Sequence, residues 1–327
     1  MKKFINDLQS VMRESIGGMV AAHPQLLRAE FEPTFIARAE RATNKVALIS
    51  GGGSGHEPLH AGYVGRGMLD AACAGQVFTS PTPDQMLAAA AAVHSGRGVL
   101  LIVKNYSGDL MNFQIASEMM DLENATVLVN DDVAVENSTH TTGRRGVAGT
   151  VIVEKMVGAA AEAGANLLEC KAIGDRVNAA TASMGVAFTS CTVPAAGRTT
   201  FDIGEDEMEV GVGIHGEPGR RREKVKPAGL IVDELLQSIL ADLKPAPGRE
   251  LLLHVNGFGG TPLMELYLLF HNAAERLGAQ GLKVVRSLVG NHTTALEMAG
   301  ASLTVTLLDD ELKSLWDAPV HTASLRW

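Results

Sequence analysis

Short apolar runs alternate with longer runs of helical periodicity along the first half of the chain. The predicted elements are strands at residues 46–50, 98–103 and 125–129, and helices after Pro83, at 110–122 and at 150–163. Strands that alternate with helices form βαβ units, in which the strands run parallel and the helices cover the faces of the sheet. The pattern therefore predicts an α/β unit with a largely parallel sheet.

A second alternating block follows a change of pattern near residues 175–200, where short strand-like runs lie among glycine, alanine and threonine. Its predicted elements are strands at residues 209–215, 250–255, 283–289 and 302–308, and helices at 228–243 and 263–277. Residues 244–248 have the composition of a linker. We predict two α/β domains, residues 1–180 and 181–327, with the last residues able to pack back on the first domain.

Polar residues follow two of the predicted strands. A glycine loop at residues 51–58 ends on His56 and Glu57, and Asp109 ends the polar stretch 104–109. Neighbouring strands of an open α/β sheet place such ends at one edge, where these sheets bind ligands, and glycine lets the backbone approach a ligand closely. Asp109 stands at a predicted helix N-cap, where it satisfies backbone donors, and a carboxylate there can also act as a base when a hydroxyl reaches it.

A second histidine lies in a similar local context. Residues 211–216 match G-x-G-x-x-G, but a turn rather than a helix follows, which excludes a dinucleotide-binding loop. What remains is a predicted strand that delivers His215 to a glycine-rich tip before a Glu-Pro pair, the same pair that follows His56. A lone histidine at a strand end is more often structural. Two histidines in matching contexts favour a shared site that can move protons.

Motifs of nucleotide and metal binding are missing from the sequence. No G-x-x-x-x-G-K-[ST] phosphate loop occurs, the glycine loop at 51–58 has no lysine, and the ten histidines show no metal-ligand spacing. The loop at residues 256–262 is predicted to be a tight turn, because it has no cationic side chain to hold a phosphate. We therefore predict no P-loop, no metal ion and no cofactor on this chain.

Composition and charge narrow the class of protein. The chain has 28 basic and 37 acidic side chains, a formal charge of −9 and a pI near 5.6, which argues against a nucleic-acid binder. Its three cysteines match no zinc motif and predict free thiols in a reducing compartment. No apolar stretch is long enough to span a bilayer, and charges interrupt the first residues, so we expect neither a membrane segment nor a secretory signal. We expect a soluble, cytoplasmic protein.

Seven separate stretches of the chain carry distinctive motifs, which follow one another in a fixed order. They are residues 51–58, 104–109, 130–135, 143–146, 191–197, 210–219 and 316–322. Together they resemble the substrate-binding subunit of dihydroxyacetone kinase, the DhaK family. The similarity extends from the first residues to the last, and several separate motifs in the same order are more specific than any single loop.

The resemblance implies that the chain is the half of a kinase that holds the ketone and has no nucleotide site of its own. It implies that a ring nitrogen of His215 adds to the substrate carbonyl and forms a hemiaminal, which selects short carbonyl compounds over glycerol. It places Asp109 beside the terminal hydroxyl and gives His56 an acid/base and hydrogen-bonding role. The other positions that it assigns to the substrate site are Gly53, Ser54, Gly55 and Lys104.

The resemblance also implies a partner. The phosphoryl group would come from a nucleotide-binding kinase subunit that carries ADP or ATP with magnesium, and we favour recharging by the phosphoenolpyruvate phosphotransferase system over exchange with ATP. The family further suggests a homodimer. The predicted activity is phosphoryl transfer to an alcohol group of dihydroxyacetone. Two alternatives share these residues: a ketose-binding transcriptional coactivator, and a kinase subunit for a four-carbon ketose such as erythrulose.

Overall fold

The computed structural model describes residues 2–135 and 143–327, and within them the chain forms sixteen strands and eight α-helices. The strands are β1 (Leu27–Phe31), β2 (Thr34–Arg38), β3 (Ala47–Ser54), β4 (Gly65–Arg66), β5 (Ala71–Val77), β6 (Val99–Lys104), β7 (Asn124–Val129), β8 (Thr181–Ala187), β9 (Thr192–Val193), β10 (Arg198–Thr199), β11 (Glu207–Val210), β12 (Arg221–Lys224), β13 (Glu250–Gly257), β14 (Lys283–Gly290), β15 (Gly300–Leu308) and β16 (His321–Thr322). The helices are α1 (Val11–Ala22), α2 (Pro83–Val93), α3 (Ser107–Met119), α4 (Gly149–Glu162), α5 (Leu167–Ala179), α6 (Ala228–Leu243), α7 (Leu263–Ala279) and α8 (Asp310–Asp317).

The first sheet is largely parallel, as the alternation of strands and helices predicts. Its strand order is β1-β2-β5-β3-β6-β7, in which β5, β3, β6 and β7 run parallel and β1 and β2 form an antiparallel edge. Apolar side chains alternate between its faces, with Leu48 packed in the cluster of α4 and Ile49 in that of α2. Because β3 and β6 are neighbours, their polar carboxyl ends lie side by side.

The strand β5 and the segment α1-β1-β2 were not predicted. Charged residues interrupt the apolar pattern of β1, and β5 consists mostly of alanine, cysteine and glycine, which carry little strand signal. The backbone of β5 lies directly against the glycines of β3. A Cβ atom on Gly51 would lie 2.6 Å from the carbonyl oxygen of Cys73.

The second sheet has the order β12-β11-β8-β15-β13-β14 and is antiparallel except for the β13–β14 pair. Helices α6 and α7 pack on it through an apolar cluster that includes Leu236, Leu253 and Leu266. The predicted strand at residues 209–215 is too long, because β11 ends at Val210 and a turn follows. The turn begins at Gly211, whose φ of 81° is unfavourable for other residues.

One apolar cluster joins residues of both predicted domains. Leu252 and Leu308 of the second sheet share it with Leu48 of the first, and Trp316 near the end of the chain belongs to it as well. The division into residues 1–180 and 181–327 therefore stays a prediction. The last strand, β16, pairs with β4. Residues 244–248 do not join domains, because they connect α6 to β13 within one sheet unit.

The surroundings of His254 and His292 predict that acid destabilises the fold. His254 of β13 is completely buried, and neither of its ring nitrogens has a hydrogen-bond partner among the described residues. Burial and the neighbouring His292 lower the pKa of His254 well below 6.5, and burial lowers the pKa of His292 to about 4. Both side chains are therefore neutral in the folded protein at neutral pH.

We expect the free energy of unfolding to fall as the pH drops from about 6.5 toward 4, because unfolded histidines bind protons there while the folded ones do not. Each such histidine contributes a slope of about 1.4 kcal/mol per pH unit. Melting temperatures measured from neutral pH downward should decline less steeply for His254→Leu than for wild type. The exposed His271 provides the control: His271→Leu should leave the slope unchanged. Equal slopes for His254→Leu and wild type would contradict this account.

Candidate active site

The glycine-rich end of β3 is strand rather than loop up to Ser54, which corrects the predicted loop at residues 51–58. The glycines are required by close packing. A Cβ atom on Gly52 would lie 2.4 Å from Nζ of Lys104, and one on Gly53 would lie 2.6 Å from the backbone nitrogen of Thr79. The chain turns only at Gly55, where φ is 103°. This arrangement brings β6 and the loop after β5 directly against the backbone of β3.

Asp109 lies inside α3 and not at its N-cap, which is Tyr106, so the predicted capping position is wrong. The helix already begins at Ser107, and Asp109 therefore stands in its first turn and is buried. Its Oδ2 lies 3.5 Å from Nζ of Lys104. Its Oδ1 is buried and accepts no hydrogen bond within the described parts of the chain. One carboxylate oxygen thus lies beside a cation, whereas the other has no hydrogen-bond partner among the described residues.

His215 lies in the turn after β11 and is oriented by a carboxylate. Its Nδ1 lies 2.9 Å from Oε1 of Glu217, and its backbone N–H donates to Oε2 of the same residue at 3.0 Å. Burial opposes ionisation of Glu217, but His215 and the buried Arg145 outweigh it and lower the pKa of Glu217 to about 2. An ionised carboxylate only accepts, so a neutral His215 carries its proton on Nδ1 and leaves a lone pair on Nε2.

His56 differs from His215 in the group that orients it, although both precede a Glu-Pro pair. The carboxylate of Glu57 turns back and accepts from the backbone N–H of Gly55, at 2.9 and 3.1 Å. The Nδ1 of His56 lies 2.7 Å from the carbonyl oxygen of Thr294, to which it must donate. Burial, followed by the charges of His215 and Lys104, lowers the pKa of His56 well below 6.5. His56 is therefore neutral with a lone pair on Nε2, which has no partner among the described residues.

Two aromatic rings, those of Phe78 and Tyr106, lie beside the contact between His56 and His215. The ring of His215 lies edge-on to His56, Tyr106 and Phe78, with centroids 4.7, 4.7 and 5.2 Å away. Phe78 also stacks on His56 at 4.8 Å. The sequence interpretation missed Phe78 and Tyr106. Tyr106 lies inside a polar stretch that was singled out, whereas Phe78 follows β5 and would have been found only together with that strand.

A cavity of about 580 Å³ opens beside these groups. Its lining residues are Gly53, Phe78, Thr79, Ser80, Tyr106, Ser107, Gly108, Asp109, Asn112 and His215. Ser54, Gly55 and Lys104 are not among them: Ser54 donates from Oγ to the carbonyl of Gly75, and Lys104 lies behind Asp109. His215 also lines a second cavity of about 660 Å³ on the side of β9 and β10. Gly53, Asp109 and His215 thus line one cavity. The ring of His56 contacts the ring of His215 and is not among the lining side chains.

Three further findings concern the described residues as a whole. Within residues 2–135 and 143–327, no group of three or more His, Cys, Asp or Glu side chains is arranged to hold a metal ion. No helix in these ranges combines the length and the apolar character needed to cross a membrane. The three cysteines, Cys73, Cys170 and Cys191, are buried and form no disulfide.

Comparisons with known proteins identify the family. The Dak1 domain matches residues 17–324. The chain is 50% identical to a PTS-dependent dihydroxyacetone kinase subunit of Listeria innocua, the dihydroxyacetone-binding subunit DhaK, over 95% of each chain. It is 44% identical to the dihydroxyacetone-binding subunit DhaK of the PEP-dependent kinase of Escherichia coli, over 100% of this chain and 99% of that one.

Solved structures agree with these matches. A dihydroxyacetone kinase operon co-activator superposes with a TM-score of 0.89 at 35% identity and covers 95% of this chain and 97% of its own. The dihydroxyacetone kinase of C. freundii superposes with a TM-score of 0.88 at 35% identity, over 99% of this chain and 60% of that one. Because the domain match and both sequence relatives span nearly the whole chain, the chain belongs to the DhaK family, whose domain is the Dak1 domain.

Proposed function

We propose that the protein is the dihydroxyacetone-binding subunit of a dihydroxyacetone kinase, which holds the ketone covalently on His215 while a nucleotide-binding partner phosphorylates it. One observation carries the proposal. A histidine with a free Nε2 lone pair and a carboxylate with a free oxygen, Asp109 Oδ1, both belong to side chains that line the same 580 Å³ cavity. A nucleophile for a carbonyl and a base for a hydroxyl are what a ketone with a terminal hydroxyl requires.

Capture of the ketone follows from the His215–Glu217 pair. The lone pair of Nε2 forms a bond to the carbonyl carbon, and the π electron pair of the carbonyl moves to its oxygen. That oxygen takes up a proton and the substituted ring releases its Nδ1 proton, so the net charge does not change. Glu217, ionised above about pH 2, stabilises the positive ring that forms between these two proton transfers. The unpartnered Nε2 of His56 accepts a hydrogen bond from the adduct hydroxyl.

Phosphoryl transfer then uses Asp109. The terminal hydroxyl of the bound ketone gives its proton to Oδ1 as its oxygen bonds to phosphorus, and the leaving nucleotide keeps the electron pair of the broken P–O bond. The covalent tether removes the freedom of the substrate before this step, so the reacting hydroxyl stays at the carboxylate. Water must be excluded from the cavity during transfer, which the nucleotide-binding partner achieves by covering it.

The donor belongs to the partner in this proposal. The relatives from Listeria innocua and Escherichia coli are subunits of PTS-dependent and PEP-dependent kinases, and this supports a donor recharged through the phosphoenolpyruvate phosphotransferase system. ADP or ATP with magnesium would then reside on the partner and no cofactor on this chain. We extend the proposal to a homodimer, which light scattering of the purified protein will test.

The isolated chain should neither bind nor use a nucleotide. Titration calorimetry with ATP or ADP and magnesium should show no binding, because the sequence has no lysine-bearing phosphate loop. Formation of dihydroxyacetone phosphate should begin only when a nucleotide-binding partner subunit and its donor are added. Phosphorylation by ATP with the purified chain alone would refute the division of labour between two subunits.

A four-carbon ketose is the second candidate substrate. The chain is 40% identical to an L-erythrulose 1-kinase of Mycolicibacterium smegmatis, over 100% of this chain and 58% of that one. A cavity of about 580 Å³ also leaves room for one more hydroxymethylene group beside a three-carbon ketone. Comparing kcat/KM for dihydroxyacetone and erythrulose in the complete system decides between the two. The transcriptional coactivator is disfavoured, because binding alone does not require the free oxygen of Asp109.

A further inference from the structure

A row of buried ionisable side chains lies behind Asp109, and the proposed mechanism leaves most of it without a role. Lys104 at the end of β6, His60 after β3 and Glu154 of α4 are only 1%, 5% and 0% exposed. Burying such groups is unfavourable unless they are paired and hydrogen-bonded. Lys104, His60 and Glu154 form a connected row, and Lys104 also contacts the proposed base Asp109. Their burial together therefore indicates a common function.

The ammonium group of Lys104 makes two hydrogen bonds and one ion pair. It has three N–H donors, and three acceptors surround it: Nε2 of His60 at 2.9 Å, the carbonyl of Gly51 at 3.3 Å and Oδ2 of Asp109 at 3.5 Å. The backbone of Gly52 lies so close that a Cβ atom there would meet Nζ at 2.4 Å. Nζ therefore lies between His60 and Asp109, and the oxygen of Asp109 that it contacts is Oδ2.

The hydrogen bond from Lys104 requires one tautomer of His60. Because an ammonium only donates, Nε2 of His60 must accept, and the ring proton must lie on Nδ1. Nδ1 lies 2.6 Å from Oε1 of Glu154 and 3.0 Å from Oγ of Ser50. The hydroxyl of Ser50 donates to the carbonyl of Ile102 at 2.7 Å, so its oxygen is available to accept from Nδ1. Burial and then Lys104 lower the pKa of His60 well below 6.5 and keep the ring neutral.

We propose that Glu154 and His60 are positioning residues for phosphoryl transfer: Glu154 selects the tautomer of His60, His60 fixes Lys104, and Lys104 holds Asp109 in place beside the cavity. The inference rests on the proposed role of Asp109 as base. Neither Glu154 nor His60 touches the cavity that Asp109 lines. They act through Lys104, and a displacement of the base by even 1 Å is enough to slow a transfer step by about 10²-fold.

A role limited to stability explains the row less well. Oε2 of Glu154 is buried and has no hydrogen-bond partner among the described residues, which is unfavourable for the fold. Burial raises the pKa of Glu154 to about 8, so its neutral form is accessible at neutral pH. Glu154 therefore acts as a hydrogen-bond acceptor for His60 more than as a charged group. Glutamine supplies that acceptor and leucine does not.

Two matched pairs of variants test the proposal in the complete system of ketone, partner subunit and phosphoryl donor. Glu154→Leu should lower kcat on the order of tenfold to 10²-fold, with KM for the ketone and occupancy of the His215 adduct unchanged, because only the base is displaced. Glu154→Gln should recover most of that loss. His60→Gln places an amide oxygen where Nε2 lies and should retain more kcat than His60→Asn, which is too short to reach Lys104.

Lys155 provides a matched control on the same helix. Its side chain is also buried and donates to the carbonyl of Leu315, and within the described residues no hydrogen bond or ion pair joins this side chain to Lys104, His60 or Glu154, so Lys155→Met should leave kcat unchanged. Equal kcat for both members of each pair, or loss of the adduct in step with kcat, would overturn the positioning role. Should Glu154→Leu not fold, the His60 pair decides. A wild-type system that forms neither adduct nor product would overturn the proposed function along with this inference.

Discussion

Replacing His215 by alanine should abolish covalent capture of dihydroxyacetone and lower phosphoryl transfer on the order of 10²-fold or more, because the tether that orients the hydroxyl is lost. Ketone labelled with a heavy carbon isotope at its carbonyl should give the resonance of a tetrahedral carbon with wild type and only that of free ketone with His215→Ala. Crystals soaked in the ketone should agree, with continuous density at Nε2 of wild type alone. The exposed His271 offers a control, since His271→Ala should retain the adduct.

Glu217→Gln sharpens this experiment, because it leaves His215 in place. Both oxygens of Glu217 accept, one from the His215 ring and one from its backbone N–H. Glutamine has a single acceptor oxygen, so one of these donors must face an NH₂ group or the ring must adopt the tautomer that lacks a free Nε2. We expect the adduct to be weakened or lost.

An adduct that persists in His215→Ala would move the covalent step to another residue, and His56 would be the first to examine.

The elements with strong periodicity were predictable from the sequence. The helix expected at residues 228–243 is α6, which presents Val232, Leu236 and Ile239 to the second sheet at helical spacing. The strand β5 was not predictable, since its small residues have neither apolar alternation nor β-branched side chains. What the structure requires there is a glycine at position 51 of β3, because the backbone of β5 lies against it, and this contact joins two strands that are distant in the sequence.

The site was predictable only in part, for the same physical reason. Gly53, Asp109 and His215, which line one cavity, were singled out because each lies near the end of an element or next to a glycine turn, where local sequence carries a signal. Glu154 was not found, because it lies within an apolar helix and contacts His60 across 94 residues of sequence. Phe78 belongs to this group as well. Contacts of this kind arise from sheet order, which local patterns do not contain.

Local patterns were also misleading at two positions near the site. Asp109 was expected at an N-cap, but α3 begins at Ser107, so the carboxylate turns inward rather than toward the backbone donors. His215 was expected on a strand, but β11 ends at Val210. In both cases the residue lies a few positions away from the place relative to its helix or strand that the pattern predicts. Both side chains line the cavity of about 580 Å³.

Asp109→Asn should lower phosphoryl transfer on the order of 10²-fold or more, about 3 kcal/mol of transition-state stabilisation, while the His215 adduct stays intact. Asparagine retains the size of the side chain and an oxygen for Lys104, but an amide does not take up the proton of the substrate hydroxyl. Single-turnover assays with the charged partner measure the transfer, and the labelled ketone measures the adduct on the same samples.

Asp121, an exposed acid just after α3, gives the matched control: Asp121→Asn should transfer at the wild-type rate. The comparison separates the two functions of the cavity, because His215→Ala removes adduct and transfer together whereas Asp109→Asn removes transfer alone. Near-normal transfer by Asp109→Asn would mean that the hydroxyl reacts without this base. The free Oδ1 would then be only a consequence of the contact with Lys104, and the base would have to be sought at Nε2 of His56.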